Sequence, residues 1–349
     1  MKAALGVAHI GAGSIGVLRA QAVAETEQLQ LKVVADLRKD AAEAIARQHG
    51  CDYTTSWREA VTRPDVDLVI ISTPPSLHPE MAIAAAEAGK HILVEKPIAH
   101  TLADAERMCD VAERCGVLIK TGFNHRYFPS MAFAKQLIQS GRIGEVIRVH
   151  AYAGHPGGKE FGPNWVTDGA VTGGGSLVDN GIHILDLTRF FMGDVELQTG
   201  KGYVANLVWP FEHAEDNSFA LFQSPTGAIA YVHASWTEWR GYYFSVETVG
   251  TRGYVRASYP PMIAEWGETP EPGIRAKRRY NLFPKFQILE RLKSWRWTIV
   301  QSFVAEMSDF ADGIIAGHDV APTGRDGLRT LQMAHAIYRS SREGQEVAV

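Results

Sequence analysis

The chain has 349 residues, 46% hydrophobic and 21% charged, with a formal net charge of −4. This length exceeds one ordinary core, so two domains are expected, and the composition is that of a globular protein. The balanced charge offers no basic field for nucleic acid, and no run approaches the roughly 18 apolar residues of a membrane helix, so neither partner is expected.

The opening Met1-Lys2-Ala3-Ala4-Leu5 has the start of a secretion signal. Its apolar run leads straight into Gly11-Ala12-Gly13, however, so a first buried strand explains it better. Three cysteines, Cys51, Cys109 and Cys115, are odd in number and lack C-x-x-C spacing. A reducing, cytoplasmic setting fits them better than a disulfide framework or a zinc site, and no metal is expected.

Along the chain, short apolar runs alternate with helical patterns. Strands are predicted at Val7–Ile10, Leu31–Ala35, Leu68–Ser72, His91–Val94 and Val117–Lys120. Helices are predicted at Ser14–Glu25, Ala41–Gln48, Pro79–Ala88 and Ala103–Arg114. Continuously apolar strands separated by helices indicate a parallel sheet covered on both faces. The texture changes near residue 122. Phe128–Ser140 reads as a helix, followed by strands at Glu145–Ala153, Ala220–Gln223, Ala228–Trp236, Tyr243–Val249 and Gly253–Ala257. They are aromatic and β-branched, with Gly and Pro between them, which predicts a mainly antiparallel second sheet. Two helices, around Val300–Ile315 and Gly327–Ser341, close the chain. The expected domains are 1–122 and 123–349, with the last helix packing back on the first. Arg275–Arg296 is basic, with Glu290 its one acid. It reads as a solvated loop or subunit contact, or as a flap over an anionic substrate group.

Gly11-Ala12-Gly13-Ser14-Ile15-Gly16 follows a strand and opens a helix. The glycines serve the tight turn, the close approach of a pyrophosphate and the helix–strand packing, while the helix N-terminus takes the anion. Asp36 ends the second strand 20 residues after Gly16, where a carboxylate takes the adenosine ribose hydroxyls. Asp36 favours NAD over NADP, although Arg38, beyond Leu37, is of the type that accommodates a 2′-phosphate. Ser72-Thr73-Pro74 ends the third long strand, on the side where ligands bind, and His78 is grouped with it.

Glu95-Lys96-Pro97 closes the next strand. Lys96 is suited to donating to a substrate oxygen beside the nicotinamide, and equally to a surface salt bridge in a turn. In Gly173-Gly174-Gly175-Ser176-Leu177-Val178-Asp179-Asn180-Gly181-Ile182-His183, a glycine turn feeds a helix with Asp179 and His183 four apart. A carboxylate one turn from an imidazole fixes its tautomer, and an imidazole takes a hydroxyl proton near neutral pH. The same spacing also suits an ordinary helix pair or a core histidine.

Together these motifs resemble the glucose-fructose oxidoreductase/inositol dehydrogenase/rhizopine catabolism family. The likeness runs through Gly11–Gly16, Ser72–Ala99, Thr121–Tyr127, Gly141–Val146, Gly173–Asp186 and the closing segment from Gly324. It implies a Rossmann domain followed by a domain with a large open antiparallel sheet that often serves oligomerisation, as a homodimer or homotetramer. It implies an oxidoreductase acting on a secondary alcohol of a sugar, glycoside, nucleotide-sugar or cyclitol. His183 would be the base, Asp179 its orienter, and Lys96 a contact for substrate and nicotinamide. It also implies that Glu95 and Asn124 line the cofactor, and that Arg126, Tyr152, His155, Asn164 and Trp165 line the substrate. Val166 stands where relatives often carry an Arg. Reduction of another carbonyl or a dihydrodiol, and non-catalytic regulation by NAD binding, are the alternatives; the presence of Lys96, Asp179 and His183 together speaks against regulation.

Overall fold

The computed structural model describes residues 4–157, 165–194, 197–211, 213–271 and 273–349; Asn164 lies outside them. The chain forms two compact units, Met1–Asn124 with Glu290–Leu328, and His125–Leu289 with Arg329–Val349.

The first unit contains β1 (Leu5–Ile10), β2 (Leu29–Ala35), β3 (Asp52–Thr54), β4 (Leu68–Ile71), β5 (His91–Glu95) and β6 (Ile119–Gly122). All pairings are parallel, in the order β3-β2-β1-β4-β5-β6. The helices α1 (Ser14–Glu25), α2 (Lys39–His49), α3 (Trp57–Val61), α4 (His78–Glu87) and α5 (Leu102–Cys115) alternate with them. Every residue of β4 is buried, as two covered faces require. The strand order reverses at β1 and β4, so the crevice for a ligand opens beyond their carboxyl ends.

The second unit begins with α6 (Pro129–Gln139), β7 (Val146–Gly154), α7 (Gly169–Thr172), α8 (Ser176–Asp179) and α9 (Gly181–Phe191). Next come β8 (Thr199–Ala205), β9 (Asn217–Gln223), β10 (Ile229–Ser235), β11 (Tyr243–Gly250), β12 (Gly253–Tyr259), β13 (Ile263–Glu268) and β14 (Lys277–Leu282). The chain closes with α10 (Pro284–Lys293), α11 (Trp295–Ala316), α12 (Gly324–Glu343) and β15 (Val347–Ala348). Among the described residues, nine strands form one open sheet, β14-β13-β12-β11-β7-β10-β9-β8-β15, antiparallel except where β7 pairs β10. Burial alternates along β9 and β11, so one face packs on helices and the other is more exposed.

Three expectations change. The division is not a single cut at 122/123, because α11 returns to the first unit. Its Val300, Phe303, Met307 and Phe310 join the apolar cluster of α1 and β1. The body of α12 belongs to the second unit, where Ser340 Oγ accepts the Gly202 N–H (3.1 Å). Arg275–Arg296 is not a loop: it supplies β14, α10 and the start of α11. Arg279 lies 3.1 Å from Glu268, and Arg278 3.3 Å from Glu265, so these two charges pair across the sheet edge.

Candidate active site

The nucleotide loop is built where β1 ends. Gly11 has φ +104°, and its N–H donates to the Ala35 carbonyl (2.8 Å), which locks the turn onto β2. A Cβ on Gly13 would meet nothing within 4 Å, so the outer side of the loop is open. Gly13, the N-cap of α1, brings no capping side chain, and the first residues Ser14 and Ile15 are exposed. Open space against uncapped helix N–H groups is the cradle a pyrophosphate requires. Asp36 Oδ2 accepts the Ala12 N–H (2.6 Å) and Oδ1 the Arg38 N–H (2.8 Å). Its carboxylate is thereby fixed at the end of β2. Arg38 stays exposed, 3.5 Å from the same carboxylate, and Leu37 is exposed beside it. These residues fit NAD. Asp36→Ser is expected to raise the NADP-to-NAD ratio of kcat/KM by about tenfold or more, the equivalent of about 1.4 kcal/mol. Steady-state kinetics with both nucleotides measures it; loss of NAD use with no gain for NADP would reduce Asp36 to a brace for the loop.

Buried groups anchor the turns flanking this cradle. His78 is fully buried. Its Nε2 lies 2.8 Å from the Thr73 carbonyl, and its Nδ1 3.1 Å from those of Pro97 and Ile98. It ties Ser72-Thr73-Pro74 to the Glu95-Lys96-Pro97 turn, a positioning role where a cofactor contact was expected. Ser72 Oγ sits 3.1 Å from His9 Nε2, and burial holds His9 down at about 3, neutral in the working range. Glu95 accepts Arg19 Nε at 2.6 Å, and Arg19 also pairs with Glu306 of α11. Arg19 and Glu306 are fully buried, and Phe303 lies under the guanidinium at 3.7 Å. Glu95 thus braces the backbone immediately before half-buried Lys96. Asn124, expected at the cofactor, is 5% exposed and its amide donates to Ser302 Oγ (2.8 Å).

In the second unit, Asp179 ends α8 and His183 lies in α9, with Asn180 joining the pieces at φ −88°. The expected single helix is therefore two. The glycine run that precedes them has a steric reason. A Cβ on Gly174 would overlap the Tyr338 hydroxyl, and one on Gly175 the Glu215 backbone. Glu215 then caps α8 by accepting the N–H groups of Gly175 (2.8 Å) and Leu177 (2.7 Å). Burial pushes its carboxyl above the usual range, against the pull of these hydrogen bonds.

Asp179 Oδ2 accepts Trp236 Nε1 (3.1 Å) and lies 3.4 Å from His155 Nε2. His155 Nδ1 accepts the Gly157 N–H (3.1 Å), which leaves the ring proton on Nε2, facing the carboxylate. His183 stacks on His125, ring centroids 3.7 Å apart at 27°, and His125 Nε2 lies 3.1 Å from the Tyr242 hydroxyl. The arrangement offers a held carboxylate and a held imidazole, the pair that proton transfer from an alcohol needs.

Arg126, expected at the substrate, is buried in a bidentate pair with Asp186 (2.8 and 2.7 Å), and its guanidinium lies over Phe190. It joins two elements of the second unit. The Tyr152 hydroxyl donates to Glu238, and Trp165 is half-exposed beside Asp168, which caps α7. Sequence reasoning passed over His125 although it chose both of its neighbours. It also missed Trp236, Glu215, Arg19 and Glu306, whose partners lie tens to hundreds of residues away.

Residues 5–123 match the model of an oxidoreductase family with an NAD-binding Rossmann fold, GFO/IDH/MocA, and residues 131–256 match the GFO/IDH/MocA C-terminal domain. The chain is 30% identical to an uncharacterized oxidoreductase, YrbE, of Bacillus subtilis (strain 168), covering 97% of this chain and 95% of that one. It is 30% identical to an inositol 2-dehydrogenase of Rhizobium meliloti (strain 1021), over 97% and 98%. A solved levoglucosan dehydrogenase in complex with NADH and L-sorbose superposes with a TM-score of 0.89 at 25% identity, over 99% of both chains.

Proposed function

This chain belongs to the GFO/IDH/MocA oxidoreductase family, and from that premise we propose that it is an NAD-dependent dehydrogenase of a secondary alcohol on a sugar or cyclitol ring. The observation that carries this reading is the held pair in the second unit: Asp179 fixed by Trp236 and His155, and His183 fixed by its stack on His125. Relatives that act on inositol and levoglucosan support the polyol class. Bound NAD supplies the hydride acceptor. His183 takes the hydroxyl proton as the carbon loses hydride. Asp179 orients the imidazole and stabilises the charge it acquires. Lys96 donates to the oxygen as it becomes a carbonyl. Glu95, Arg19 and His78 keep the Lys96 turn in place.

We assign a reducing, cytoplasmic setting on the three free cysteines Cys51, Cys109 and Cys115, odd in number and without C-x-x-C spacing. No described helix is long and apolar enough to cross a membrane. Tyr203, Leu221 and Ile229 are at least half exposed on the open sheet, which suits a homodimer or homotetramer.

The test is NADH formation by purified protein with NAD and a panel of inositols, free sugars, glycosides and nucleotide-sugars, His183→Ala run alongside. A substrate whose oxidation is lost in the variant establishes the class and the base together. A blank panel, with candidate ketoses also failing to oxidise NADH, sinks the dehydrogenase reading.

A further inference from the structure

Beside Asp179 stands a group of aromatic rings that proton and hydride transfer do not require. Trp236, which donates to Asp179, offers its own carbonyl to the indole N–H of Trp209 (2.9 Å). Trp209 lies nearly parallel to Phe211, with centroids 6.0 Å apart at 9°, and 6.5 Å from Trp239. Trp239 is 64% exposed, although burying such a ring is among the larger apolar gains open to a chain.

Both indoles sit on anchored turns. The buried Asp216 carboxylate accepts the backbone N–H groups of Leu207 (3.0 Å), Val208 (2.6 Å) and Trp209 (3.0 Å). On the other side the Glu238 N–H donates to the His155 carbonyl (3.2 Å), and Glu238 accepts Arg240 Nε (2.7 Å). His155 is the residue whose ring faces Asp179, so the Trp239 turn hangs from the segment that abuts the carboxylate. The Asp179 side chain keeps 28% exposure between buried Trp236 and a His155 side chain that is only 12% exposed. A ligand therefore has access to the carboxylate and, a residue away, to preset aromatic faces.

A pyranose ring presents C–H bonds on its faces and hydroxyls around its edge. The faces suit an indole, and the edge suits a polar rim such as the exposed Arg240 beside Glu238. Resting on the dehydrogenase reading above, we propose that the substrate is a glycoside of two rings: the ring to be oxidised lies at Asp179 and His183, and a second sugar ring or aromatic aglycone lies against Trp239 and Trp209. Free inositols and monosaccharides fill only the first position.

Matched methyl and phenyl glycosides of several hexoses, with the corresponding disaccharides, test this in the NAD-loaded protein. Wild type is expected to show a KM at least about tenfold lower for the two-ring member of the productive pair. Trp239→Ala should erase that difference and leave the methyl glycoside unchanged, while Trp239→Phe should retain part of it. Equal KM values within the pair, or equal losses on both members in Trp239→Ala, overturn the proposal. So does an oligomer that dissociates on Trp239→Ala, since a second copy then covers the ring. Quenching of tryptophan fluorescence by the same ligands separates the two readings. Ring-dependent quenching lost in Trp239→Ala, without turnover of any ligand, keeps the subsite and sinks the dehydrogenase. Turnover without ring dependence does the reverse, and absence of both sinks the two together.

Discussion

His183→Ala is expected to lower kcat for alcohol oxidation by about 10²- to 10⁴-fold, the range removed with a positioned general base. The affinity for NAD should hold, because Gly11–Gly16 and Asp36 belong to the other compact unit. The argument rests on how the ring is held. His183 is 7% exposed and stacked on His125, which is itself tied to Tyr242. A base fixed in this way meets the substrate hydroxyl without first giving up rotational freedom. His125→Ala should therefore cost less than His183→Ala and act on kcat rather than on KM. Asp179→Asn keeps the shape and can still accept the Trp236 N–H, yet loses the charge that stabilises an imidazolium, so it too should lose turnover. Steady-state kinetics, a fluorescence titration with NAD, and the isotope effect of deuterium at the oxidised carbon separate these outcomes. A His183→Ala enzyme within a few-fold of wild type, beside a disabled Lys96→Met, would transfer the role of base to Lys96.

What the sequence made legible followed from local pattern. The helix Ser14–Glu25 is visible because it opens directly from the glycine turn, and the strands because each is a short continuous apolar run. The Gly11–Gly16 cradle and Asp36 are visible because one turn and one strand end place them. Asp52–Thr54 is too short to show a period, Gly200 and Gly202 interrupt β8, and β14 is an edge strand whose charges disguise it. The supports of the site escaped for a different reason. Glu215 caps a turn forty residues before it, and Trp236 reaches Asp179 from just past the end of β10. Such partners are brought together by the tertiary fold, which no spacing along the chain encodes. The supporting roles of other motif residues escaped likewise: Arg126, His78 and Asn124 each hold a partner, Asp186, the Thr73 carbonyl and Ser302, that their motifs do not announce.

Arg19→Met is expected to destabilise the protein by about 3–5 kcal/mol, because it leaves Glu95 and Glu306 without the cation between them. Denaturant unfolding measures it. Arg19→Lys keeps the charge but not the fork that serves two carboxylates, and should fall between. Glu306 has its own pH signature. Burial pushes its carboxyl above the ordinary range, and Arg19 only partly draws it back. A carboxyl raised in the folded state holds its proton longer there than in the unfolded chain. Its contribution is therefore whole below the ordinary value of about 4.3 and declines as pH rises through the raised one. Glu306→Gln should match wild type at the acidic end of that window and become the more stable protein toward neutrality. The opposite trend would mean that pairing outweighs burial and that the folded carboxyl is depressed. The two variants also separate structure from chemistry. Arg19 reaches the site only through Glu95, the residue before Lys96. If Arg19→Met loses turnover beyond what its unfolded fraction explains, and Glu306→Gln does not, then it is the grip on Glu95, rather than the charge on α11, that positions Lys96.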